Sequence, residues 1–228
     1  MKLFVIEGVD GAGKSTQLKL LKDFFTERGY NCEYLHFPRT ESPYFGELIA
    51  RFLRGEFGSL NDVDPYLVAM IYAGDRRDAS DLISKWLNDG KIVLLDRYTY
   101  SNIAYQCAKL QGIQEQEKLM KWILSLEFNH FSIPRPDLNI FLDVPFAFTE
   151  KKLLNTRTGN DRSYLNGNRD IHEESLVFQK SVRYIYLKVA KYDKRLAVVD
   201  CSSTSGSMLA PSEIFKMIVK IFIERKLI

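Results

Sequence analysis

Cysteine is scarce: Cys32, Cys107 and Cys201 are odd in number, far apart and form no CxxC pair, which excludes a disulfide framework and a zinc site of that type. Their expected role is packing in a reducing compartment. Long apolar runs are missing as well. The N-terminus offers Leu3 to Ile6 before Glu7 interrupts it, far short of a signal-peptide core or a membrane span, so no membrane association and a cytoplasmic location are expected. Charge of one sign does not accumulate. Thirty-two basic and 29 acidic residues leave a formal charge of +3, mixed along the chain, and no nucleic-acid footprint follows from it. Internal repeats are absent.

What is present is an alternation of short apolar runs with amphipathic stretches. Leu3–Ile6, Cys32–His36, Ile92–Leu95, Leu138–Leu142 and Leu196–Val199 read as strands. Helical patterns fall at about 15–28, 44–54, 65–88, 99–110, 115–128, 145–155, 170–193 and 212–225. Strands apolar on both faces and separated by helices predict an α/β domain: a central, mostly five-stranded parallel sheet between helical layers. A 228-residue chain with 46% hydrophobic residues suits one such domain, spanning 1–228. Two segments break the rhythm, Gly55–Asp64 and Asn155–Asn168. The second is polar and threaded with Arg157 and Arg162, with Arg169 just beyond it. It reads as a mobile basic loop, either a solvated connection or a lid over an anion.

Gly8-Val9-Asp10-Gly11-Ala12-Gly13-Lys14-Ser15 matches GxxxxGK[ST], preceded by the strand Lys2–Glu7 and followed by a helix that starts near Thr16. Glycines let the backbone turn so that successive N–H groups face one anion, and the helix adds the positive end of its dipole. Lys14 then reaches the β and γ phosphates of a nucleoside triphosphate, and Ser15 offers a hydroxyl to Mg²⁺. The architecture is thus a three-layer P-loop NTPase fold, but the loop does not choose among switches, motors and kinases. No Asn-Lys-x-Asp guanine-reading motif is present, which argues against a GTPase switch.

Ile92-Val93-Leu94-Leu95-Asp96-Arg97 is a buried strand ending in a carboxylate beside an arginine. Sheet topology brings such strand ends to the crevice holding the phosphate loop. Asp96 can support Mg²⁺ or position an acceptor, and Arg97 can clamp a phosphate; a structural pair at a helix start is the alternative. Asp143 ends a similar strand ahead of Val144-Pro145 and competes as a metal-site candidate, but it reads mainly as a helix cap, with Asp96 favoured for chemistry.

With these motifs in place the sequence resembles thymidylate kinases from Phe4 to about Glu174. Glu7-Gly8-Val9-Asp10-Gly11-Ala12-Gly13-Lys14-Ser15-Thr16-Gln17 is similar to the family's opening, in which the acidic residue, here Asp10, contacts the acceptor sugar. Phe37-Pro38-Arg39 resembles a segment whose aromatic lies along the base and whose arginine approaches the acceptor phosphate. Tyr72 and Arg76 stand where the family stacks and hydrogen-bonds the pyrimidine. In Asp96-Arg97-Tyr98 and the following Asn102 and Tyr105, the resemblance implies metal support by Asp96, phosphate binding by Arg97, a base contact by Asn102 and exclusion of the 2′-hydroxyl by Tyr105. Arg157 and Arg162 look like lid arginines, with the lid at about 155–168. Gly11 leaves the phosphate loop without the arginine that other members carry there. Asp170 and His172 sit in a segment similar to one that touches the acceptor, with His172 alternatively a surface residue at a helix start; Asp200–Ser203 would approach adenine. The resemblance implies phosphoryl transfer from ATP to dTMP with Mg²⁺, on the way to dTTP, in a homodimer, or a related nucleoside or nucleotide kinase.

Overall fold

The computed structural model describes residues 2–154, 165, 171–172 and 175–228, and only the backbone of 151–154. Five strands form one parallel sheet: β1 (Lys2–Glu7), β2 (Cys32–His36), β3 (Ile92–Asp96), β4 (Leu138–Asp143) and β5 (Leu196–Asp200), in the order β2-β3-β1-β4-β5. The strands fall where apolar runs predict them. β1, β3 and β4 are buried almost throughout, which is why their sequences show no polar alternation. The period of two is still visible in their partners. Phe4, Ile6 and Leu94 join one core, whereas Leu3, Val5, Val93 and Leu95 join the core on the other face.

The first core receives α1 (Lys14–Thr26) and α8 (Pro211–Glu224), where Phe25 and Phe222 close on Phe4; the Phe4–Phe222 rings meet edge-on at 4.5 Å. It also takes α7 (Leu176–Tyr192). The second core takes Ala79 and Ile83 of α3 (Pro65–Asn88), a long helix with Pro65 in its first turn and Asp64 as its cap, accepting from the Tyr66 N–H at 2.7 Å. α2 (Phe45–Leu53) packs on α3 at Gly74, where a Cβ would lie 2.2 Å from the Phe45 ring.

Helix ends depart from the sequence expectation. α4 (Thr99–Cys107) stops earlier than predicted, and α5 (Ile113–Ser125) gives way to a π-helical turn at Leu126–His130. α7 starts at Leu176, not at 170, because the Ser175 hydroxyl accepts the Phe178 N–H at 3.2 Å and fixes the first turn there. α6 (Phe146–Leu154) follows β4 as expected.

The register places Ile6 beside Asp96, and Asp96 beside His36. The ends of β1, β3 and β2 therefore open onto one crevice.

Candidate active site

That crevice is a cavity of about 570 Å³, lined from one end by the loop Asp10–Ser15 and from the other by side chains of α3 and α4. Gly11 and Gly13 hold φ of 77° and 82°, the left-handed region that side chains disfavour, so the loop needs glycine at both positions. Lys14 is buried, its Nζ 3.4 Å from the Val9 carbonyl and 3.9 Å from Asp96 Oδ1, and the exposed Ser15 opens α1 beside it. An ammonium and a helix N-terminus at one wall suit a polyphosphate. Thr16, next along α1, is exposed too, while Gly8 turns so tightly that a Cβ would lie 3.0 Å from that of Ala12.

Asp10, Arg97 and Tyr105 form a single cluster across the cavity. Arg97 Nη2 donates to Asp10 Oδ1 at 2.6 Å, and the Tyr105 hydroxyl donates to Asp10 Oδ2 at 2.8 Å. Arg97 Nη1 is held by the Gly8 carbonyl at 2.9 Å, and the guanidinium lies 5.2 Å from the Tyr105 ring centre. Burial pushes the Tyr105 phenol well above its usual range, so it is a hydrogen-bond donor.

The far end of the cavity presents groups suited to a planar polar ligand. Asn102 and Gln106, four apart on α4, face it, and Asn102 Oδ1 and Gln106 Oε1 are buried with no hydrogen-bond partner among the described residues. Tyr72 and Arg76 line the same end. Arg76 is not the freely reaching group that its sequence position suggests. Its Nε and Nη2 are committed to Glu127 at 2.6 and 2.7 Å, which fixes the fork in place. Phe37 lines the cavity while packing 5.6 Å from Tyr98. Arg39 also lines it, with its guanidinium turned onto α3 through Asp75 and Asp78.

Of the two readings of His172 the surface one is excluded: it is buried, with its ring 4.9 Å from that of Tyr105 and 5.7 Å from that of Phe178. Burial, reinforced by Lys109, lowers its pKa to about 3, so the ring is neutral. Asp143 has both carboxylate oxygens on Arg183, at 2.5 and 2.8 Å, in place of a capping role. Arg157, Arg162 and Asp170 lie outside the described residues.

Asp96 ends β3 beside Lys14 of the phosphate loop, and its Oδ1 is buried without a hydrogen-bond partner among the described residues. Burial opposes its charge, but Lys14 and His36 outweigh that and keep its pKa below the ordinary value. No cluster of three or more metal-ligating side chains occurs among the described residues. A hard cation here would draw on Asp96, on Ser15, on water and on phosphate oxygens, as Mg²⁺ does at nucleotide sites.

Several residues of this region receive no role from the motifs. Glu7 and Glu127 are both fully buried carboxylates; Glu127 accepts from Arg76, Thr99 Oγ1 and Asn102 Nδ2. Gln179 of α7 reaches Asp10 Oδ2 at 3.3 Å, and His36 Nδ1 lies 3.5 Å from Asp96 Oδ2. The available signal is a charged residue where the pattern asks for an apolar one. Glu127 continues the four-residue spacing of the buried Leu119 and Ile123, and Glu7 ends an apolar strand.

The family described as thymidylate kinase matches residues 6–208. A probable thymidylate kinase of Thermococcus onnurineus is 36% identical over 201 residues, covering 86% of this chain and 87% of the relative. The thymidylate kinase of Mycobacterium tuberculosis is 31% identical over 217 residues, covering 93% and 99%. Among solved structures, the thymidylate kinase of Candida albicans superposes with a TM-score of 0.72 at 24% identity, covering 99% of this chain and 92% of that one, a likeness of fold.

Proposed function

The chain belongs to the thymidylate kinase family, and from that premise we propose that it transfers the γ-phosphoryl group of ATP to dTMP, giving dTDP and ADP, within the 570 Å³ cavity. The enzyme is an ATP-dependent nucleoside monophosphate kinase. One observation carries the assignment of the two ends: the anion-binding loop and the Asp10–Arg97–Tyr105 cluster share a cavity whose far wall holds unpaired amide oxygens.

ATP lies with its phosphates on Gly8–Thr16 and Lys14, and with its adenine toward Asp200–Ser203. The acceptor lies opposite. Arg97 binds its phosphate, with Arg39 in reach once its α3 partners release it. Asp10 receives the sugar 3′-hydroxyl, and the Tyr105 ring fills the space of a 2′-hydroxyl. Arg76 donates to a base carbonyl, Asn102 or Gln106 accepts from the base N–H, and Tyr72 and Phe37 flank the ring. His172 backs Tyr105, and Asp170 joins this wall. Both substrates are anions, so these side chains act by holding donor and acceptor in line and neutralising charge, with no covalent intermediate. Mg²⁺, held by Asp96 and Ser15, would supply charge neutralisation at the transferring phosphate. The chain works as one kinase domain, with 155–168 as the lid and Arg157 and Arg162 as its catalytic charges.

A cytoplasmic location is supported by three free cysteines, and among the described residues no helix is long and apolar enough to cross a membrane. A homodimer is supported by Leu67, Met70 and Leu82, exposed along α3.

The test is ADP release against a panel of nucleosides and monophosphates. dTMP is expected to be the best acceptor; faster turnover with thymidine would replace this reading by a deoxynucleoside kinase.

A further inference from the structure

We infer that Glu7, Ser101 and Tyr186 form a positioning network that sets the Arg97 guanidinium for the acceptor phosphate and ties it to helix α7. The inference rests on the assignment of Arg97 proposed above. Glu7 is 0% exposed and its carboxylate is fully occupied. Oε1 accepts the N–H groups of Tyr98 at 3.0 Å and Ser101 at 3.3 Å; Oε2 accepts the Ser101 hydroxyl at 2.5 Å and the Tyr186 hydroxyl at 3.0 Å.

The first pair of contacts caps α4. Its N-cap residue, Tyr98, makes no side-chain cap of its own, so the orphan N–H groups of that helix are satisfied from the end of β1. Arg97 precedes this cap with a φ of 66°, a conformation that a non-glycine residue keeps only when its surroundings impose it. Consecutive residues of the β1 end impose it here. The Ile6 carbonyl accepts the Arg97 N–H at 3.0 Å, Glu7 accepts the Tyr98 N–H, and the Gly8 carbonyl accepts Arg97 Nη1. An ordinary serine or aspartate cap at position 98 would hold α4 equally well but would leave it unconnected to the phosphate loop.

The second pair reaches the guanidinium and α7. Ser101 Oγ donates to Glu7 and accepts from Arg97 Nη1 at 3.3 Å, while the Tyr186 hydroxyl stands 2.7 Å from the same Oγ. All of these groups are buried, so each polar contact is costly to leave unmade. Arg97 therefore presents its remaining N–H donors to the cavity from a fixed frame. α7 follows the proposed lid segment in the chain and also carries Gln179, which reaches Asp10 from the other side. The same helix thus touches Asp10 directly through Gln179 and reaches Arg97 through the Ser101 hydroxyl that Tyr186 meets.

Glu7→Gln is the direct variant, but a buried amide could unfold the protein. Tyr186→Phe removes one oxygen and keeps the ring, which stacks on Phe141 at 4.4 Å. Steady-state kinetics on Tyr186→Phe, Arg97→Lys and the double variant, each first checked by thermal melt, test the network. For Tyr186→Phe the KM for dTMP should rise about threefold to tenfold with the KM for ATP unchanged. In the Arg97→Lys background, which lacks the planar fork, the same change should add nothing. Equal rises for both substrates, a loss of kcat alone, or an undiminished Tyr186→Phe effect in the Arg97→Lys enzyme would overturn the network. An unchanged dTMP KM in Arg97→Lys itself would overturn the Arg97 assignment, and the network with it.

Discussion

The carboxylate of Glu127 meets the guanidinium of Arg76 through two parallel hydrogen bonds, 2.6 Å from Nε and 2.7 Å from Nη2, with both side chains closed off from solvent. Thr99 and Asn102 donate to the same carboxylate, so one buried charge orders α3 and α4 at the far end of the cavity. Loss of one member of such a pair leaves the other buried and uncompensated. Glu127→Ala is therefore expected to lower the unfolding free energy by about 3–5 kcal/mol in urea titrations. A loss near zero would show that the pair is not the tie described.

His172 sets a second expectation, this one in pH. Its pKa is near 3 in the folded protein against an ordinary 6.5. The folded state thus binds fewer protons than the unfolded one in that interval, and the stabilisation is whole above pH 6.5 and lost as pH falls toward 3. Compared with His172→Phe, the native chain should lose up to about 1.4 kcal/mol of extra stability per pH unit within that window. Urea unfolding at a series of pH values measures the difference; parallel curves would mean that the ring is not held neutral.

Tyr105 is expected to govern the sugar. Tyr105→Ala should narrow the preference for dTMP over its ribose counterpart by roughly tenfold or more, read as the ratio of kcat/KM values. Tyr105→Phe, which keeps the ring and loses only the bond to Asp10, should retain most of the preference. An unchanged ratio in Tyr105→Ala would remove the residue from this role.

For the proposed lid, Arg157→Ala and Arg162→Ala are expected to lower turnover more than dTMP affinity, by about a hundredfold for whichever carries the transferring charge. Single and double variants assayed at saturating dTMP decide it. Normal turnover in all of them would place the transition-state charge elsewhere.

The strands and the phosphate loop were legible because burial on both faces leaves an unbroken apolar run, and a tight anion-binding turn admits few residues besides glycine. The end of β3 was legible for a related reason: Asp96-Arg97 is a charged pair where burial would otherwise exclude one. Helix starts were less so. The 3.6-residue pattern before Leu176 does not distinguish a helix from the turn at Ile171–His172, and Ser175 decides only through the hydrogen bond it makes. The supports behind the site were the least visible. Glu7, Glu127 and Tyr186 serve through partners 91, 51 and 179 positions away, to Tyr98, Arg76 and Glu7 respectively, and no local motif encodes such distances. The sequence leaves His172 open between an acceptor contact and the surface, and the rings of Phe52, Tyr105 and Phe178 around it make it interior.

The register that sets Ile6 beside Asp96 bears on how this protein can change over generations. The loop proposed for ATP leaves β1 and the arginine proposed for the acceptor phosphate follows β3, so the two stand one strand spacing apart, about 4.8 Å, a length fixed by backbone hydrogen bonds and indifferent to side-chain identity. Surface positions of the outer helices that do not reach the cavity are free to vary without moving the meeting point. A slip of one residue between those strands would instead turn Asp96 to the opposite face and abolish the site at a stroke. Variation in descendants of this chain is thus channelled to its periphery, and heat should extinguish activity together with the sheet, with no gradual decline before it.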